Sequence, residues 1–289
     1  MKLSVSITDY SWSDRPAELG AQLTEVARRV DDAGIDTLWV ADHLLQVDPN
    51  ATIDGPMLEA YTTLGYLAAV TSQVKLGTMV TWATIRPPAL LVKAVTTLDV
   101  LSGGRAWLGI GAGYGGQEAT MMGLPFAPTA ERFGRMEELL RLCAHMWDGN
   151  EAPFEGPYHR LERPISNPAP VARPRILIGG TGEKRTLPLV ARYADACNLF
   201  DIPDGNQTLR HKLDVLARAC AEVGRDPKTL EVTLSTRLAP KETTDAFVER
   251  CGVAAGFGVD HVVLVTAGPW AAPELDVLAA AVEPLRRTG

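Results

Sequence analysis

Short β-rich apolar runs alternate with longer helical runs along this whole chain, and no other feature limits the choice of fold so tightly. Leu3–Thr8 reads as a strand, and Ala17–Ala33 as a helix with apolar residues at Leu19, Leu23, Val26, Ala27 and Val30, closed by Gly34. The strand Ile35–Ala41 is apolar on both faces, as a parallel strand covered on both sides is. Helix Glu59–Thr71 precedes strand Val74–Thr81, and a helix opened by Pro87-Pro88 and ended by Ser102-Gly103-Gly104 precedes strand Ala106–Ile110. Helix Thr129–Trp147 carries one apolar face. The alternation resumes with strand Arg175–Ile178, helix Glu183–Tyr193, strand Asp195–Phe200, helix Thr208–Val223, strand Leu230–Leu238, helix Thr243–Ala255, strand His261–Thr266 and helix Pro273–Arg287. Eight such units in 289 residues, with no break in composition, predict one α/β domain over residues 1–289, a closed (β/α)8 TIM barrel. An open doubly wound sheet is the alternative this pattern leaves. Either fold puts its chemistry at the C-terminal ends of the strands.

Residues 148–174 interrupt the pattern. Six prolines, at 153, 157, 164, 168, 170 and 174, exclude a regular helix and predict an ordered, extended insertion of the kind that covers a site. The chain has 28 Lys and Arg against 35 Asp and Glu, a net charge of −7, which argues against nucleic acid or an acidic membrane surface as partner. No apolar run approaches the roughly 20 residues that span a bilayer. The chain enters a strand pattern at Lys2 without leader architecture, and its four cysteines form no C-x-x-C pair. A cytoplasmic protein with free thiols and no metal site is expected.

The strand Arg175–Ile178 runs into Gly179-Gly180-Thr181-Gly182-Glu183-Lys184-Arg185, three glycines in four positions ahead of a helix. Exposed backbone N–H groups and the positive end of a helix dipole make such a turn an anion cradle, although a simple chain reversal has the same outline. Other strand ends carry further handles. Asp42-His43 offers a side chain that exchanges protons near neutrality. Trp82 either walls the mouth or packs in the core. Gly111 and Gly113 let a flat ligand approach the backbone, with Tyr114, Gln117 and Glu118 beside them; Glu118 equally suits the first turn of a helix. No H-E-x-x-H, G-x-S-x-G or Walker-type loop is present, so demanding chemistry has to come from a cofactor.

Several segments together resemble the bacterial-luciferase-like superfamily of (β/α)8 flavin and deazaflavin enzymes, and within it the class that uses coenzyme F420. They are Leu38-Trp39-Val40-Ala41-Asp42-His43, Leu76-Gly77-Thr78, Arg86-Pro87-Pro88-Ala89, the stretch Leu98 to Arg105, Gly111 to Gly113, Gly123-Leu124-Pro125-Phe126, Phe154-Glu155-Gly156 and the glycine loop after Ile178. The resemblance implies hydride transfer between F420 and a small organic substrate. It places His43 beside the ring as catalytic proton partner, Asp42 nearby, a non-prolyl cis peptide at Met79-Val80 behind the ring, and Gln117 as a polar contact. Gly179, Gly180 and Thr181, with Gly182 on the same loop, match phosphate contacts, and Lys184 is a candidate for the anionic tail. A homodimer is implied as well. An FMN-dependent monooxygenase fed by a separate reductase, and a non-catalytic flavin or deazaflavin carrier, are the alternatives. The sugar-phosphate dehydrogenases of the superfamily have Glu at the position of Tyr114 and Trp at that of Val47, so their proton donor is missing here. Tyr114 either replaces it as a weak acid or walls the pocket.

Overall fold

Residues 1–48 and 51–288 are described by the computed structural model. Strands β1 (Lys2–Ile7), β2 (Thr37–Val40) and β3 (Lys75–Thr78) lie side by side in parallel, separated in sequence by helices α1 (Pro16–Asp32) and α2 (Ala60–Val70). A short strand β4 (Thr81–Trp82) and helix α3 (Pro88–Ser102) lead to β5 (Trp107–Gly111), α4 (Gly116–Met122) and α5 (Thr129–Trp147). The insertion folds back as a small antiparallel hairpin of β6 (Phe154–Glu155) and β7 (Arg160–Leu161). Beyond it come β8 (Arg175–Gly179), α6 (Thr186–Tyr193), β9 (Ala196–Phe200), α7 (Gln207–Glu222), β10 (Glu231–Thr236), α8 (Thr244–Ala255), β11 (His261–Val265) and α9 (Ala272–Arg286).

Neighbours around the sheet follow chain order, β3-β2-β1-β11-β10-β9-β8-β5-β4. The remaining seam is bridged where Leu76 of β3 pairs with Ala106, with the Leu76 N–H 2.9 Å from the Arg105 carbonyl. A doubly wound sheet would reverse its strand order midway; this one does not, so the eight staves make the barrel. The third stave differs from the expected continuous strand. It is β3 and β4 in succession, divided at the cis Met79-Val80 peptide.

Strand alternation sorts the side chains into two cores. Leu3, Val5, Leu38, Val40, Leu108, Ile110, Ile176, Ile178, Val262 and Leu264 face outward and pack under the helices, against residues such as Leu23, Val26 and Val30 of α1. The alternate positions Trp39, Trp107, Leu177, Ala196 and Val263 fill the barrel itself. Trp39 and Trp107 meet edge to face, 5.7 Å between centroids. They leave no room for a side chain at Gly77, where a Cβ would lie 2.7 Å from the Trp39 ring. Each buried indole contributes roughly 4–6 kcal/mol of transfer free energy before entropic costs. The N-terminal end of the barrel is closed by Glu231, which accepts from Lys2 at 2.9 Å, Arg175 at 2.6 Å and His261 at 2.8 Å. Burial opposes ionisation of Glu231, but His261 and Lys2 outweigh it and hold the carboxyl well below the usual range.

Helix α6 starts at Thr186, three residues later than the sequence pattern suggests. Glu183 is drawn instead to His211 and Lys212 of α7, so the glycine turn extends through Arg185.

Candidate active site

At the C-terminal mouth, β2 ends in Ala41-Asp42-His43 and each of the two polar residues has a separate partner. His43 Nδ1 is 2.7 Å from Glu118 Oε2, and Glu118 Oε1 accepts from the backbone N–H groups of Leu44, at 2.5 Å, and Leu45, at 3.1 Å. Glu118 is buried in the first turn of α4 and its side chain is 5% exposed. A carboxylate only accepts, so Nδ1 is the protonated ring nitrogen and Nε2 is left to exchange a proton. The His43 ring also meets Tyr114 edge to face, with centroids 5.7 Å apart. Burial, then the charges of Glu118 and Asp48, raise the Tyr114 phenol above its ordinary value, so it remains a neutral donor at working pH.

Asp42 lies beneath. Arg86 binds it in a two-pronged fork, 2.6 Å to Oδ2 and 2.7 Å to Oδ1, and the Trp82 N–H adds a third bond at 3.1 Å. Arg86 also reaches Glu59, the N-cap of α2, at 2.7 Å, and lies over the Tyr61 ring. Burial lowers the guanidinium's affinity for its proton, but the Asp42 carboxylate reverses that and raises it. Asp42 thus anchors the chain between β2, β4 and α2, with most of its acceptor capacity taken by protein groups.

The opposite half of the mouth is bare backbone. On β5 and β8 the inward positions nearest the mouth are Gly109, Gly111 and Gly179. A Cβ at Gly111 would lie 2.9 Å from Val80, one at Gly179 2.8 Å from Val80, and one at Gly109 would overlap the Thr78 carbonyl. Val80, at the cis peptide, therefore sits against a glycine face shaped around it. Trp82 lies so close to Gly113 that a Cβ there would overlap its indole; the indole N–H is buried without a partner. Phe126 meets Trp82 edge to face, and Arg132 covers Phe126 while donating to the Ala112 and Ala127 carbonyls.

Past β8, Gly180 has φ +111°, a conformation that favours glycine. Among the described residues the N–H groups of Thr181 and Gly182 donate to no group of the chain, and Lys184 is exposed without an ion pair. Gln117 is exposed in the first turn of α4. Among the described residues no group of three or more His, Cys, Asp or Glu is arranged to hold a metal.

Of the residues expected on one rim, His43 meets Tyr114 edge to face, and Val80 lies against Gly179 at the start of the glycine loop. The sequence reading left open the role of Glu118, which the structure places on His43, and it missed Arg86 as the partner of Asp42. The only signal for Arg86 was its position just before Pro87-Pro88.

The family model described as luciferase-like monooxygenase matches residues 1–275. An F420-dependent glucose-6-phosphate dehydrogenase of Kineococcus radiotolerans is 37% identical over 168 residues, 56% of this chain and 48% of that protein. The chain spans about half the length of the first few curated relatives it matches. An F420-dependent secondary alcohol dehydrogenase, solved with an F420-acetone adduct, superposes with a TM-score of 0.82 at 17% identity over 99% of both chains. A long-chain alkane monooxygenase superposes with a TM-score of 0.79 at 15% identity, over 99% of this chain and 91% of its own. Likeness at that identity speaks for the fold alone.

Proposed function

We propose that this chain, which belongs to the luciferase-like monooxygenase family, is an oxidoreductase that moves a hydride between coenzyme F420 and a small organic substrate. The observation that carries the reading is the division of the mouth: the His43–Glu118 pair stands on one side and Val80, seated on a face of glycines, on the other. Gly109, Gly111 and Gly179 make room for Val80, whose remaining exposed side suits a flat ring, and the open N–H groups of Thr181 and Gly182 fit a phosphate. The choice of deazaflavin over FMN is supported by relatives named as F420-dependent.

Bound F420 supplies or accepts the hydride. Gly109, Gly111 and Gly179 seat Val80 against the barrel wall, and the exposed side of Val80 would support the ring. Thr181 and Gly182 would hold the phosphate through their backbone N–H groups, with Gly180 turning the chain ahead of them, and Lys184 would meet the anionic tail, with Gln117 as a further polar contact. Asp42 acts from beneath, keeping the β2 end in place through Arg86. His43 Nε2 takes the proton released when a substrate carbon is oxidised, or returns it on reduction, while Glu118 fixes the ring's orientation and tautomer. Tyr114 closes the pocket over His43 and donates a hydrogen bond to substrate oxygen.

A homodimer belongs to the same proposal. Helix α3 turns Leu90 and Leu101 outward, 58% and 69% exposed, along a stripe with Ala94 and Thr97. A separate reductase would recycle the coenzyme. No helix among the described residues is long and apolar enough to cross a membrane, and all four cysteines are free and buried, which agrees with the proposed cytoplasmic location.

Titration of the purified protein with F420 and with FMN tests the assignment. F420 should bind at least 10-fold more tightly; tighter FMN binding, with product that forms only in oxygen, would replace it with the flavin monooxygenase reading.

A further inference from the structure

We infer that the substrate side of the mouth selects an uncharged molecule with a flat, apolar body, that Phe200 is the specificity-determining residue, and that phosphorylated sugars are rejected. This rests on the hydride-transfer reading and names the substrate class for that same site.

Strand alternation supplies the first observation. In β9, Ala196 belongs to the barrel-filling core while Cys197 and Leu199 pack under the helices, so Asn198 and Phe200 share the inward face. Asn198 is spent within the wall: it donates to Thr233 at 2.9 Å and accepts from Ser235 at 3.1 Å. Phe200, at the C-terminal end of that face, remains 49% exposed. Across the opening stand two more apolar groups, Tyr114 after β5 and Val47 after β2, each exposed. Three staves thus carry an exposed aromatic or branched side chain at or just past their C-terminal ends, the composition of a pocket for an apolar body.

Charge supplies the second. The inward position after β10 is Arg237, and its guanidinium reaches across the mouth to Asp48, 3.3 Å away in the loop after β2. Arg86 is matched by Asp42 and Glu59, and His43 by Glu118. Arg237, Arg86 and His43 thus each face a carboxylate. A phosphate dianion is held by clustered cations or charge-assisted N–H groups, and here it would meet Asp48 and Glu118 as well as their partners. Lys184, Arg185 and Lys241 stand exposed on rim loops without ion pairs among the described residues, but Arg185 lies over the Phe133 ring and a solvated lysine holds an anion weakly. The relatives named for glucose 6-phosphate share the family with this chain; the charge pattern of this mouth sets it apart from that substrate.

Two titrations test this in sequence. F420 binding is measured first, and its failure removes the coenzyme reading by itself. Calorimetry with 1-phenylethanol and with glucose 6-phosphate is then run on the protein–F420 complex or, if that complex does not form, on the protein alone. We expect 1-phenylethanol to bind at least 10-fold more tightly than glucose 6-phosphate. Phe200→Ala should weaken it about 10-fold while Phe200→Leu loses less, and Phe200→Lys should strengthen glucose 6-phosphate binding, all without change in F420 affinity. Equal or tighter binding of glucose 6-phosphate, binding of neither probe, or indifference to all three substitutions would overturn the inference.

Discussion

His43 Nδ1 and Glu118 Oε2 are 2.7 Å apart, although 75 positions separate them in the chain, and the same carboxylate holds the backbone of Leu44 and Leu45. One buried acid on α4 thus fixes both the ring and the peptide that carries it. Glu118→Gln keeps the shape but can no longer specify which nitrogen bears the proton. Its kcat should fall roughly 10- to 100-fold while coenzyme affinity stays within about 3-fold. Glu118→Ala should also cost about 1–3 kcal/mol of stability, because two backbone donors lose their acceptor. Steady-state kinetics with a denaturation curve on each variant separates the two effects, and a Gln variant with unchanged kcat would remove the orienting role.

Arg86 is the counterpart beneath. Removing it leaves Asp42, whose side chain is 1% exposed, without its main partner. Arg86→Ala should destabilise the protein by about 3–5 kcal/mol. Arg86→Lys should recover only part of this, since an ammonium cannot make the fork to both oxygens. Urea denaturation of both variants is the check; full recovery by lysine would contradict the geometry.

Much of this architecture is legible in the sequence, because the features that specify it are local. Apolar periodicity, the Pro87-Pro88 start of α3 and the glycine stops at Gly34 and Gly103 each act over a few residues, and all eight staves could be placed from them. The ion pairs of the site were not legible: Arg86 with Asp42 and Glu118 with His43 join loops that meet only once the barrel closes. Glu118 carried the signal of an ordinary first-turn acid, which it also is. The start of α6 was misplaced because Glu183, Lys184 and Arg185 suit a helix on their own, whereas α7 draws Glu183 away. The break at Met79-Val80 left no mark in the periodicity and came only from the resemblance.

The glycine face admits a sharp test. Gly109→Ala would drive a methyl group into the Thr78 carbonyl, and Gly179→Ala would press one against Val80. The first should destabilise the barrel by roughly 1–3 kcal/mol. In the second, Val80 can shift toward the mouth, so F420 affinity should fall at least 10-fold with a smaller loss of stability. Thermal melts beside coenzyme titrations distinguish them; equal effects on both readouts would contradict the assignment of Val80 to the ring's side.

Acid stability should depend on the far end of the barrel. Glu231 has a folded-state value depressed below its ordinary 4.5 by His261 and Lys2, against the opposing effect of burial. A depressed acid contributes stability that is complete above the unfolded value and is lost as pH falls through the folded one. Wild type should therefore lose stability steadily below about pH 4.5, and Glu231→Gln should be less stable at pH 7 with a shallower loss over the same window. Parallel pH curves for the two proteins would contradict this.

The central claim is hydride transfer to or from F420 with His43 as proton partner. Its most direct test is anaerobic turnover of 1-phenylethanol with F420, in wild type and His43→Ala. The account predicts oxygen-independent reduction of the coenzyme, at least 100-fold slower in His43→Ala with F420 affinity within about 3-fold of wild type. Turnover that requires oxygen, or an Ala variant as fast as wild type, would contradict it.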